Sequence, residues 1–134
     1  MSAVSANQPK DVAWLLQSLT EEAPGIRGSV LLSADGMVKA AHGLGRDDSE
    51  RLAALASSFF SLARGAGALF DGSDKVRQVV TELPASQLYI CWAGFNSVLA
   101  VLTTSAAEPA VVGFQMAQLI RSVRPFLDTA ARGR

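Results

Sequence analysis

Residues 48–70 constrain this chain more than any other stretch. They read as one long helix with too few places to meet water. The only charges from Asp48 to Phe70 are Asp48, Glu50, Arg51 and Arg64. Leu52, Leu55, Phe59, Leu62, Ala66 and Leu69 recur at 3,4 spacing and form one apolar stripe. Ala53, Ala56, Phe60, Ala63, Gly67 and Phe70 form a second, about 100° round the helix. A third line, Ala54, Ser58, Ser61, Gly65 and Ala68, is small throughout. A small domain buries one stripe of a helix against its own core, and the remainder is normally charged. Here it is not, so a second protein surface is expected to cover this helix, most economically another copy of the chain. Asp47 is the expected N-cap, with Glu50 completing a capping box.

The flanking segments give an order of elements. Asp11 to Ala23 reads as a helix stopped by Pro24-Gly25. Ile26 to Ser33 and Met37 to Ala41 read as a hairpin turning at Asp35-Gly36. After the long helix, Val76 to Glu82, Gln87 to Ala93 and Val98 to Thr103 follow closely enough for a meander. Leu88, Ile90 and Trp92 alternate with Tyr89, Cys91 and Ala93. Both sets are mostly apolar, so that strand is expected to be covered on both faces. The more polar Val76 to Glu82 reads as an edge strand. A last helix starts near Ser105 or Glu108, and Pro125 is expected to kink or end it.

Composition and motifs exclude several function classes. At 134 residues the chain holds one domain, read as 10–130 behind a disordered tail over 1–9. Zero formal net charge and no cluster of Lys and Arg argue against nucleic acid. The apolar run Leu52 to Ala63 is too short to span a bilayer. A single cysteine and an N-terminus without a signal pattern fit a cytoplasmic protein. No lysine stands in a P-loop, no Gly-x-Ser-x-Gly elbow occurs, and one histidine with one cysteine makes no zinc site of the usual types. No catalytic residue, cofactor or metal is therefore expected. His42 reads as a hairpin-end residue, Cys91 as a buried inert thiol, and Trp14 and Trp92 as packing residues. Asp47 and Asp48 read as helix-start acids, and Asp71 and Asp74 as turn residues. Arg64, a lone charge among small residues, reads as a solvent contact.

Particular segments carry a family resemblance. Gly25-Ile26-Arg27-Gly28-Ser29-Val30-Leu31-Leu32-Ser33-Ala34-Asp35-Gly36 resembles the first hairpin of the roadblock (dynein light chain) superfamily. Arg51 to Ala56 resembles the start of its central helix, Val76 to Glu82 its third strand and Leu99 to Leu102 its fifth. The likeness runs from about Asp11 to Leu127 and is closest to bacterial, especially actinobacterial, members encoded beside small Ras-like GTPases. It implies an α+β sandwich with a five-stranded antiparallel sheet in the order 2-1-5-4-3. Two helices would lie on one face and the central helix on the other. It also implies a homodimer, with central helices packed together and third strands paired across a two-fold. The interface would comprise Ala53, Ala56, Phe60, Ala63 and Gly67 with Val76, Arg77, Gln78, Val79 and Val80. Such dimers regulate or scaffold a small GTPase or a sensor kinase. Ser57, Ser61, Arg64 and Ala68 are the expected partner-docking residues. The competing reading is a PAS- or GAF-like ligand-sensing module, which would need a pocket with several polar anchors; the central strands offer Tyr89 and little else. A small enzyme ranks third.

Overall fold

The computed structural model describes residues 7–132. Helix α1 spans Asn7–Glu22, starting ahead of the expected Asp11 because Pro9 falls in the first turn, where no amide is needed. Residues 1–6, part of the tail expected over 1–9, lie outside the described residues. Gly25 turns the chain at φ 94. A Cβ there would stand 2.9 Å from that of Ala107, so the position requires glycine for both conformation and close approach. Strands β1 (Ile26–Ser33) and β2 (Val38–His42) form the hairpin, and His42 ends β2. Helix α2 spans Arg46–Phe70, followed by β3 (Val79–Glu82), β4 (Ser86–Gly94), β5 (Ser97–Thr104) and α3 (Pro109–Arg132).

The five strands form one antiparallel sheet in the order β2-β1-β5-β4-β3, as the resemblance implied. The α+β roadblock arrangement follows from where the helices lie. On one face, Val12, Leu16 and Leu19 of α1 and Val112, Met116, Leu119 and Val123 of α3 pack over Leu31, Tyr89, Leu99 and Val101. On the other, Leu52, Ala53, Ala56 and Phe60 of α2 pack over Val30, Leu32, Leu88, Ile90, Val98 and Ala100. β4 is covered on both faces, as its alternation predicts.

Three local expectations are corrected. α2 begins two residues before Asp48, behind Gly45, with no side-chain cap hydrogen bond. Asp47 and Asp48 instead occupy the first turn, where the helix dipole favours acids. α3 does not end at Pro125 but continues through it to Arg132; Pro125 is exposed, so water can serve the carbonyl that loses its donor. β3 forms over Val79–Glu82 only, and residues 76–78 lie outside any strand. By length and composition α2 could cross a membrane, contrary to the shorter run read from the sequence, but it lies along the sheet.

Candidate protein interface

The central helix presents three different surfaces. The line facing the sheet is Ser49, Leu52, Ala53, Ala56 and Phe60, all buried within the single chain. Ala53, Ala56 and Phe60, expected at the interface, lie in the chain's own core. Phe60 stacks on Trp92 with ring centroids 5.7 Å apart. Ala63 and Gly67, half-buried, continue the same line. A Cβ on Gly67 would stand 2.5 Å from the Ser73 carbonyl oxygen, so Gly67 accommodates the returning chain rather than a partner helix. Periodicity shows that two stripes exist but not which one meets the sheet. Packing decided it: Ala53 and Ala56 let the helix approach closely, and Phe60 reaches Trp92, the aromatic that β4 presents on this face.

The other stripe is bare. Leu55, Leu62 and Leu69 are 56%, 73% and 74% exposed, beside exposed Ala66 and half-buried Phe59, and Phe70, which ends the core line, is 81% exposed next to them. Water contacts a contiguous line of large apolar side chains, which is the hallmark of a surface that works when covered.

The small line divides in two. Nearer the hairpin, a Cβ on Gly36 of the turn would stand 3.5 Å from the Ser57 Cβ, and the Ser57 hydroxyl donates to the Ala34 carbonyl at 2.7 Å. Ser57 thus ties the helix to the hairpin turn within the chain. Beyond it Ser58, Ser61, Gly65 and Ala68 are exposed. Arg64 lies between this line and the core line, and its guanidinium donates to the Asp74 carboxylate at 2.7 Å. That bond, with the charge behind it, holds the Asp74 carboxyl below its ordinary range. Arg64 meets solvent, as the sequence implied, and is also paired with Asp74. No local signal could have matched it to Asp74, because the pair depends on how the chain returns after Phe70.

Beside this pair lies a cleft of about 490 Å³ lined by Phe60, Arg64, Asp74, Lys75, Val76 and Trp92. It adjoins the free outer edge of β3, where Val80 is 48% exposed. Val79 is half-buried against the α2 layer, Val76 partly so, and Arg77 and Gln78 are exposed.

The remaining chemical groups are closed off or scattered. Tyr89 hydroxyl donates to Gln87 at 2.5 Å, and burial pushes the phenol up from its ordinary value. Burial raises the Cys91 thiol to about 11. Trp14, expected to pack, is 64% exposed on α1. Among the described residues no three His, Cys, Asp or Glu side chains gather into a metal-binding group.

Residues 12–103 match the family model of the Roadblock/LC7 domain. The chain belongs to the Roadblock/LC7 family. It is similar to a crystal structure of a Roadblock/LC7 domain from Streptomyces avermitilis, with 48% identity over 86% of this chain and 96% of that one and a TM-score of 0.83. MglB of Myxococcus xanthus shares the fold at 16% identity, 96% coverage of each chain and a TM-score of 0.82. An MglB with a tetrameric arrangement does so at 16% identity, covering 97% of this chain and 95% of that one, with a TM-score of 0.84. No curated protein sequence matches the chain.

Proposed function

We propose that this Roadblock/LC7 protein is a non-catalytic cytoplasmic homodimer that docks and regulates a small Ras-like GTPase, as the resemblance to bacterial roadblock regulators implies. The observation that carries the reading is the placement of the two surfaces of α2. Counting 100° per residue from Phe60, Ser61 and Arg64 lie on one side of the core line, and Leu55 and Leu62 lie round the other side. Arg64 reaches the lead-in to β3, so the small flank faces the free strand edge. A second copy pairing along β3 meets the small flank, whose Ser61, Gly65 and Ala68 allow close helix approach. The large stripe stays uncovered by that pairing and is the docking surface for the GTPase. Interface membership therefore moves from Ala53, Ala56 and Phe60 to Ser61, Gly65 and Ala68, while Val79 and Val80 keep theirs. The existence of an MglB with a tetrameric arrangement supports self-association as a habit of this fold.

The chain has no P-loop, so any hydrolysis is its partner's. Arg64 is engaged by Asp74, which favours ordering of the partner's own switch residues over insertion of an arginine finger. The test adds the purified protein to small Ras-like GTPases from the same organism and measures binding and turnover. Binding that Leu62→Glu removes and Arg64→Ala retains, with turnover also retained, is the expected result. No binding in any nucleotide state sinks the proposal. Loss of turnover alone in Arg64→Ala restores the finger.

A further inference from the structure

The cleft beside Trp92 has the shape of half a strand that has not formed. The β3–β4 ladder pairs Val79 with Ile90 and Glu82 with Gln87, then stops, although β4 runs on to Gly94. Continued in the same register, Gln78 would face Cys91, Arg77 Trp92, Val76 Ala93 and Lys75 Gly94. Instead the cleft separates Lys75 and Val76 from Trp92. Two features hold the segment off. The pairing of β4 with β5 shifts register between Trp92 and Gly94, and such an irregularity bends the strand that carries it. The chain before it is tied to α2, by the 2.7 Å Arg64–Asp74 bond and by the Ser73 amide donating to the Gly67 carbonyl at 3.3 Å. Yet Val76-Arg77-Gln78 continues the strand-forming pattern of Val79 to Glu82 without a break.

We infer that Lys75–Gln78 is a conditional part of β3, joining the sheet only when a second copy pairs along the edge, so that the ladder lengthens and the cleft over Trp92 closes. This rests on the homodimer proposed above. The physical reason is the number of bonding rows. Ordering the segment costs backbone entropy. In the single chain only one row, to the bent end of β4, could offset it. A partner strand adds a second row of backbone hydrogen bonds on the outer edge. The occupant is a second copy because the edge is continuous with the small flank of α2, and a two-fold presents both features to themselves at once.

The experiment follows backbone amide exchange and tryptophan emission across a dilution series, with mass measured by light scattering. The background is Trp14→Phe, which leaves Trp92 as the sole tryptophan. In the dimer the Arg77 and Gln78 amides should exchange roughly tenfold or more slowly than on dilution, and Trp92 emission should move to the blue. Gly65→Trp, which blocks the small flank, should keep the chain folded and monomeric with those amides fast; its added tryptophan confines this variant to the exchange readout. A dimer whose Arg77 and Gln78 amides stay as fast as in the monomer overturns the conditional strand and leaves the homodimer standing. Equal protection in the monomer overturns it too. Monomer at every concentration overturns both. Asp74→Asn releases the anchor, so dimer affinity should hold or tighten; a weaker dimer would show that the tethered form is the paired one and would overturn the inference.

Discussion

The two faces of the sheet are built to different degrees of completion. Five strands spaced at about 4.8 Å make a face about 20 Å wide, and a helix with its side chains covers about 10 Å. Two helices, α1 and α3, therefore close one face, and their inward residues Leu16, Val112, Met116 and Val123 are almost wholly buried. α2 alone covers about half of the other. It buries Leu52, Ala53, Ala56 and Phe60 and leaves Trp92 and Val79 half-covered at the β3 side. The closed face is finished within one chain, whereas the open face leaves surplus apolar surface, where the partners proposed above would bind.

The sharpest break in this comparison comes from substitutions inside the core lines. Phe60→Glu would bury an unpaired carboxylate against Trp92, and should unfold the single chain rather than merely part a dimer, costing more than about 4 kcal/mol. Leu16→Ala on the closed face should cost about 2–5 kcal/mol. Urea unfolding followed by far-UV circular dichroism measures both. If Phe60→Glu folds normally, the core assignment of that line is wrong.

The open face should behave in the opposite way. Leu62→Glu, at a position 73% exposed, should change stability by no more than about 0.5 kcal/mol. It should nonetheless weaken binding of the partner GTPase roughly tenfold or more, read by titration calorimetry. A large stability loss would mean that the stripe is already covered within the chain.

Thiol chemistry sharpens the contrast without touching a partner. Cys91 points into the closed face, and a thiol raised from 9.0 to about 11 holds about a hundredfold less thiolate at neutral pH. Labelling by a disulfide reagent at pH 8 should be slow in the native protein and become fast in denaturant. Rapid native labelling would show that the closed face opens readily.

The smallest effect is expected at the exposed Arg64–Asp74 pair. Asp74 has its carboxyl held below the ordinary 3.8, so the pair's contribution to stability is present above that value. It is lost as pH falls through the lower folded value. Arg64→Ala should flatten the acid limb of the stability profile in that window, with the variant slightly less stable above it and the two proteins converging at low pH. An equal acid limb in both proteins would show that the pair does not form in solution.

Sequence by itself determined the element order, the hairpin, the double-sided burial of β4 and the surplus of apolar surface on the central helix. Those properties are local or periodic: turn residues, alternation and 3,4 spacing act over a few residues and need no knowledge of neighbours. It also carried the family resemblance through segments with a fixed order. Only the tertiary structure decided which stripe of α2 meets the sheet, because both are apolar and the choice depends on how closely Ala53 and Ala56 let the helix approach and on where Trp92 lies. It alone matched Arg64 to Asp74, tied Ser57 to Ala34, and stopped β3 at Val79. Each of these joins residues through the path of the returning chain, and that path is set by the whole sheet rather than by any window of sequence.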